Sequence, residues 1–513
     1  MHKKPEQTKS TYPPWSIASV LKKEESEWVR ENSLRRRLHY DWFDREILRA
    51  GEHPIRYGVA LAVLFTCVIA LVDTLPKGWA NSFPSIQYPA EQLSYFTSLW
   101  GIQATLVALI YPFVIAFVAL LLQRRPSSKA FLQIYLSDSG GFVAGMSSLF
   151  LVLFMAIQYV MFSMTSLNRA VTWVSVDSIW FVYNIVLTLR FLYRTVEFLR
   201  SDFQMEVVKR YTVNVALPRE IANLQRFQLF ASAQNKGWIP GPAYLDDGAE
   251  GQPQVLMHSL GLRMGEVAVN RHLRKQSRLT NVHYWPLRLA VAIWLKKARK
   301  QQPAQASGPF DESKSPVLVF PLLPGSAYEA EVVLARVERG PKLALWQRVL
   351  VRMSFSFTPL RLERHHVTST EVLADLETDA RTSAGNGDVG AFEEAYGRVT
   401  DMHETLLAAC LGKADDGSVG SWALLPDVST FFDRPIHGKW ANTYRALFEA
   451  ATSLMPTETR PICRLCHVVQ HLDEPGLQGS PLEIRERVLL LPTQLMYSLE
   501  SWWSQRLEEQ GVL

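Results

Sequence analysis

Residues 93–122 read LSYFTSLWGIQATLVALIYPFVIAFVALLL, without a single charge. A helix needs about 20 mostly apolar residues to cross the hydrocarbon core of a bilayer. A water-soluble domain has no use for a run this long. Three further apolar stretches lie near Tyr57–Val72, Gly140–Met164 and Val171–Leu189. The expected fold class is therefore an α-helical integral membrane protein with four transmembrane helices, followed by a mixed α+β cytosolic region. The second stretch is oversized. From Gln92 to Gln123 it would run about 45–50 Å as a helix, against a core of about 30 Å. The excess must tilt, protrude or bend at Pro112.

The charges set the expected topology. Arg35, Arg36, Arg37, Arg45, Arg49 and Arg56 precede the first stretch, Arg124, Arg125 and Lys129 follow the second, and Arg190, Arg194 and Arg200 follow the fourth. The two remaining loops hold only Lys77 and Arg169. Basic residues stay on the cytoplasmic side, so both termini are expected in the cytoplasm of a multi-pass protein of the bacterial inner membrane. No apolar core precedes residue 57, which argues against a cleaved signal peptide. Trp79, Phe83 and Tyr88 in the loop Asp73–Glu91 suit an interface belt. Four cysteines in 513 residues argue against a disulfide framework in such a compartment.

Five regions follow. Residues 1–54 form a polar tail and an amphipathic helix, in which Leu34, Leu38, Trp42, Ile47 and Leu48 interleave with arginines. Residues 55–195 form the four-helix transmembrane domain. Residues 196–300 form a helical region with a basic interfacial segment. A linker, Gln301–Ser315, leads to a small β domain over 316–360, with strands near Val317–Phe320, Glu331–Arg336 and Val349–Phe357. Residues 361–513 are mainly helical, over Glu371–Asp379, Gly390–Leu411, Tyr444–Leu454, Ile462–Leu472 and Pro481–Glu509, with a break at 412–421.

Two features of the apolar stretches bear on function. Ser98, Gly101, Thr105, Ala108 and Pro112 fall along one helix face. Small residues let helices approach closely in lipid, or they line a narrow pathway or gate around a symmetry axis. Asp177 lies near mid-membrane, with Asn184 further along its face and Gln158 as a neighbour on the third stretch. A charge at that depth costs about 2.5–3.5 kcal/mol, so Asp177 is either a neutral hydrogen-bonded carboxyl or an ion or proton contact.

The soluble part offers a basic cluster and a cysteine pair. Arg271, Arg274, Lys275, Arg278, Arg288, Lys296, Lys297, Arg299 and Lys300 occur between residues 267 and 310, without an acidic residue. Between them sits WPLRLAVAIWL, residues 285–295. Apolar residues between basic clusters suit a helix on an anionic lipid surface or a site for an anionic ligand; a core helix with solvated ends is the alternative. Lipid is favoured over nucleic acid as a partner. Cys463, Cys466, His467 and His471 have haem-attachment or zinc-like spacing, but the compartment disfavours haem and no second pair completes a zinc site. Ordinary core cysteines are the preferred reading, with no metal. No GxGxxG, GxxxxGK[ST], GxSxG or HExxH occurs, so nothing recommends an enzyme or calls for a cofactor.

The block ALIYPFVIAFVALLLQRRPSSKAFLQIYLSDSGGFVAG, residues 108–145, resembles a bacterial family of four-helix membrane proteins whose function is not assigned. The resemblance covers a long second span, a small polar loop, a short amphipathic segment and a glycine-rich lead into the third span. It implies a topology and no chemistry. The functional expectation is a homo-oligomeric channel or membrane-perturbing effector gated by its cytosolic domain. The alternative is a membrane-anchored scaffold or sensor that recruits a cytosolic protein or anionic lipid. Bacterial stress or phage defence is a setting suited to either architecture.

Overall fold

The computed structural model describes residues 14–74, 89–124, 129–162, 167–242, 252–257, 265–301, 315–360, 366–410, 436–454, 460–471 and 482–510. The chain forms two compact units that interleave along the sequence. One comprises Met1–Arg36, Leu217–His366 and Cys410–Phe431; the other comprises Arg37–Ala216, Val367–Ala409 and Phe432–Leu513. Lys77, Trp79, Phe83, Tyr88, Arg125, the linker residues 302–314 and the break at 412–421 lie outside the described residues.

Helix α1 (Ile17–Glu31) belongs to the first unit. The amphipathic segment expected after it divides into α2 (Ser33–Leu38) and α3 (Trp42–Glu52). Four long apolar helices follow: α4 (Pro54–Thr74), α5 (Pro89–Arg124), α7 (Gly141–Phe162) and α8 (Leu167–Leu199), with the short α6 (Lys129–Asp138) between α5 and α7. Each long helix holds a stretch long and apolar enough to cross a membrane: Pro54–Val72, Leu93–Ala119, Gly141–Met161 and Thr172–Leu199. Helix α5 continues through Pro112 for 36 residues, about 54 Å, so the excess length is carried by an unbroken helix.

Helix α7 sits centrally and packs on α4, α5 and α8. Phe65 stacks on Trp180 at 4.6 Å, and Phe96, Leu151 and Met155 fill the core around them. Phe131, Ile134 and Tyr135 of α6 are buried. Gly140 turns the chain from α6 into α7 at φ +72. A Cβ there would meet Ile47 at 2.8 Å and Arg190 at 3.0 Å, so glycine is required both by backbone and by space. After α8 the chain runs through α9 (Ser201–Tyr211) into a π-helical turn, Thr212–Ala216.

The first unit is an α+β fold. Ser16 and Ser19 cap α1 reciprocally, and Ala18 donates to Asn281 Oδ1 at 3.0 Å. Helix α10 (Leu217–Ala231) packs on α1. Strands β1 (Gln254–Leu256), β4 (Val317–Val319), β6 (Glu331–Glu338) and β2 (Glu266–His272) form one sheet in that order, parallel only between β1 and β4. Strands β5 (Ala327–Tyr328), β3 (Ser277–Val282) and β7 (Phe355–Pro359) form a second. Strands thus occur within the region 196–300, read from the sequence as a helical region with a basic interfacial segment.

Helix α11 (Tyr284–Gln301) is a core element. Leu287, Ala290, Val291, Trp294, Leu295 and Ala298 are buried at helical spacing, one stripe facing the sheets. Helix α12 (Leu345–Ser354) occupies most of the segment expected as a strand at Val349–Phe357, and β7 begins only at Phe355. The helical period prevails because Gln347, Val351 and Ser354 recur every three to four residues on the buried face. Gln347 fixes this helix, accepting from Ala344 N at 2.9 Å and donating to Ala290 O of α11 at 3.3 Å.

The carboxyl part returns to the second unit as α13 (Ser369–Gly385), α14 (Val389–Cys410), α15 (Ile436–Leu454), α16 (Arg460–His471) and α17 (Leu482–Glu509). A Thr368–Glu371 capping box starts α13. Helix α15 packs on α13, α16 and α17. Glu393 of α14 holds α16 through Arg460 at 2.9 Å and Arg464 at 2.7 Å.

Candidate functional site

The interior of the four apolar helices carries a polar seam. On α8, Asp177, Trp180 and Asn184 recur at helical spacing and all are fully buried. On α7, Ser147, Ser148 and Gln158 face inward, also buried. Ser147 Oγ donates to Asn184 Oδ1 at 2.6 Å and accepts from Trp180 Nε1 at 3.1 Å. Gln103 of α5 donates from Nε2 to Ser148 O at 3.3 Å.

Asp177 lies beside this cluster, in which Asn184 Nδ2, Ser148 Oγ and Gln103 Oε1 also have no hydrogen-bond partner among the described residues. Gln158 is its polar neighbour. Neither carboxylate oxygen has a well-formed hydrogen bond among the described residues, and neither do the two amide atoms of Gln158. A buried polar group normally finds a partner, and leaving one unpaired costs about 1–3 kcal/mol, more if charged. A carboxyl and an amide facing one another within an apolar bundle can hold a shared proton, a water or a small cation. The structure therefore brings Asp177 and Gln158 together, and places Asn184 in a neighbouring cluster on the same face of α8.

The small-residue stripe lies elsewhere. Ser98, Gly101, Thr105, Ala108 and Pro112 are all exposed on α5, whereas Phe96, Leu99, Gln103, Ile110 and Phe117 form its buried side. Nothing lies within 4 Å of a Cβ built on Gly101. The hydroxyls are satisfied within the helix: Ser98 Oγ donates to Ser94 O at 2.8 Å and Thr105 Oγ1 to Gly101 O at 2.9 Å. With their donors used by the backbone, these side chains present a smooth, narrow face. The stripe and Asp177 do not share a wall within one chain.

One end of the bundle holds an ion network that sequence reading missed. Asp44 of α3 pairs with Arg190 at 2.8 Å and with Arg194 at 2.8 Å, all three side chains nearly buried. Arg190 also donates to the carbonyls of Ser139 at 3.2 Å and Asp138 at 3.4 Å, at the end of α6. Arg194 reaches Glu197 at 3.0 Å. Asp138 sits beside them with Tyr40; burial pushes its carboxyl up, while Arg194 and Arg190 pull it down. The only signal for this network in the sequence is an aspartate inside an arginine-rich segment. At the other end of α6, Asp375 of α13 accepts from the amides of Ala130 at 2.7 Å and Phe131 at 3.4 Å. Partial burial raises the Asp375 carboxyl to about 6.

The basic residues of the first unit divide into two groups. Arg271, Arg274, Lys275 and Arg278 lie on β2, β3 and the turn between them. Lys296, Lys297, Arg299 and Lys300 are exposed on the last turns of α11, where cations offset the helix dipole. The apolar run between the groups mostly faces the core, with Trp285, Leu289 and Ala292 of that run exposed. Cys463 and His467 are exposed on α16 and Cys466 is half-buried, its thiol pushed up by burial and by Cys463. The side chain of His471 lies outside the described residues. Among the described residues no three of His, Cys, Asp and Glu converge as a metal site would require. Comparison with known proteins finds no matching family model, no matching curated protein and no matching solved structure.

Proposed function

We propose that this protein is a membrane conduction or membrane-perturbing protein, with Asp177 as the charge contact for a small cation or proton. The observation that carries this reading is the fully buried carboxylate of Asp177, facing Gln158 with neither oxygen in a well-formed hydrogen bond among the described residues. Intramembrane carboxylates are costly and mark ion or proton pathways. The exposed stripe on α5 supports assembly of copies, because small residues let helices meet closely in lipid. Gating by the soluble helices is supported by α6, which Asp375 of α13 caps at one end and Arg190 of α8 grips at the other.

The test is ion and proton flux from liposomes containing the purified chain, wild type against Asp177→Asn. The proposal expects flux in the wild type and its loss in the variant. Equal flux from both removes Asp177 from the pathway. The alternative of a membrane-anchored scaffold is favoured by one observation, the apolar face that α12 exposes on the first unit.

A further inference from the structure

Helix α12 presents apolar side chains to solvent. Leu345 is 80% exposed, Val349 52% and Met353 64%, at a spacing of four, with Trp346 beside them at 46%. Side chains at this spacing form one continuous strip. The opposite side of α12 is sealed against the unit through Gln347, Val351 and Ser354, so the strip is not a loosely packed core face.

Basic residues border the strip. Arg348 and Arg352 lie along its edge, four residues apart. Each guanidinium is aimed by its own backbone contact: Arg348 Nε donates to Leu343 O at 3.0 Å and Arg352 Nε to Asn270 O at 3.1 Å. From Arg339 to Leu362 the sequence contains Arg339, Lys342, Arg348, Arg352 and Arg361 and no acidic residue. Beside the helix lies a groove of about 830 Å³, lined by Val349, Arg352, Met353, Phe357, Arg271 and Glu331 among others. Arg271 is held there by Phe355 O at 2.9 Å and lies over the Phe357 ring at 5.3 Å. Glu331 is the one acid in the lining, and its carboxylate accepts from Asn270.

We infer that the Leu345–Met353 face of α12 seats on an anionic phospholipid surface. The apolar strip would enter the acyl boundary, with Arg348, Arg352 and Arg271 meeting the phosphates. Apolar and aromatic residues on one helix face with arginines at the border are the composition of interfacial helices. The arginines match anionic headgroups in charge and in hydrogen-bond geometry. The chain also supplies the surface. The short stretch Arg200–Ala216 joins the last candidate span to this unit, so tethering keeps any bilayer holding the spans at high effective concentration. This surface differs from the WPLRLAVAIWL segment, whose apolar side is used by the core.

The experiment places a benzophenone-bearing residue at Val349 of the full chain, in nanodiscs of phosphatidylcholine alone or with phosphatidylglycerol. Intact mass after illumination identifies what was captured. The inference expects phosphatidylglycerol adducts, with about a fivefold loss for each of Arg348→Gln and Arg352→Gln. Leu345→Ser with Met353→Ser should lower the yield further without changing the melting temperature, because both side chains point away from the fold. Equal adducts in neutral discs, a crosslink to a second copy, or no lipid adduct would each overturn it. None of these readouts depends on ion flux, so the inference can fail or stand independently of the conduction proposal.

Discussion

Replacing Asp44 by alanine is the sharpest test of the ion network at the end of the bundle. Asp44 is the shared partner of Arg190 and Arg194, each at 2.8 Å, with side-chain exposures of only 12–15%. Removing one partner of a buried pair typically costs 3–5 kcal/mol, because the remaining charge stays desolvated. Here two arginines lose the same carboxylate, but neither is left bare. Arg190 keeps the carbonyls of Ser139 and Asp138, and Arg194 keeps Glu197. The expected cost is therefore at the lower end, about 3 kcal/mol. It should appear locally, since Asp44 is what fixes α3 electrostatically to α8. Hydrogen exchange of the α3 amides in the purified full chain should accelerate about a hundredfold, while α11 in the other unit stays unchanged. Asp44→Asn retains an acceptor for one arginine and should fall between. Unchanged α3 protection in Asp44→Ala would refute a structural role for the pairs and return α3 to a helix held by apolar packing alone.

Further outcomes follow from the same geometry. Asp375 has its carboxyl raised from 3.8 to about 6, so the folded chain binds its proton more tightly than the unfolded chain. Stability should then fall as pH rises from about 4 to 6, and Asp375→Asn should flatten that part of a melting-temperature profile; a profile that keeps its slope refutes the assignment. Gly101→Leu meets nothing within 4 Å in one chain and should leave the melting temperature unchanged while lowering oligomer mass in native mass spectrometry. An unaltered mass would exclude that face as a contact. A Cβ at Gly58 would overlap the Phe150 ring, so Gly58→Val should force α4 from α7 and cost about 1–3 kcal/mol, measured by thermal unfolding in detergent. No loss would mean that the ring yields freely.

The four apolar helices were legible in the sequence because length and composition alone distinguish them. Asp177, Gln158 and Asn184 were legible as polar residues within apolar runs, a pattern that needs no knowledge of partners. That Asn184 joins Ser147 and Trp180 while Asp177 faces Gln158 was not, since it depends on how α7 and α8 turn their faces. Asp44 escaped because its partners stand about 150 positions away in the chain, and an aspartate among arginines reads equally well as a solvated residue. The run around Trp285 carried the signature of an interfacial helix, yet two sheets that need a cover claimed its apolar side. Helix α12 was ambiguous for a different reason. A short stretch rich in Val, Leu and Met fits a strand or a helix, and only its burial pattern decides. Of the β-branched residues that made it resemble a strand, Val349 is exposed and Val351 buried.

The position of α6 connects these observations. It is a ten-residue helix joining the second and third apolar helices, too short to be stable alone. Its order comes from its surroundings. Asp375 satisfies amides at its start, Arg190 satisfies carbonyls at its end, and Tyr135 in its middle bonds Thr195 at 2.9 Å while packing on Phe117 and Phe198. These contacts come from α13, α5 and α8, so the element that links two apolar helices is held jointly by α13 and by the ends of those helices. Coupling requires a two-state element that both sides bias, and α6 is contacted from both sides through named bonds. Disrupting the Asp375 cap while leaving Asp44 intact separates the two grips. If α6 relays α13 to the bundle, loss of either grip should loosen the other, visible as faster exchange of α3 in Asp375→Ala. If exchange of α3 is indifferent to Asp375, the two ends of α6 are independent and α6 is not a relay.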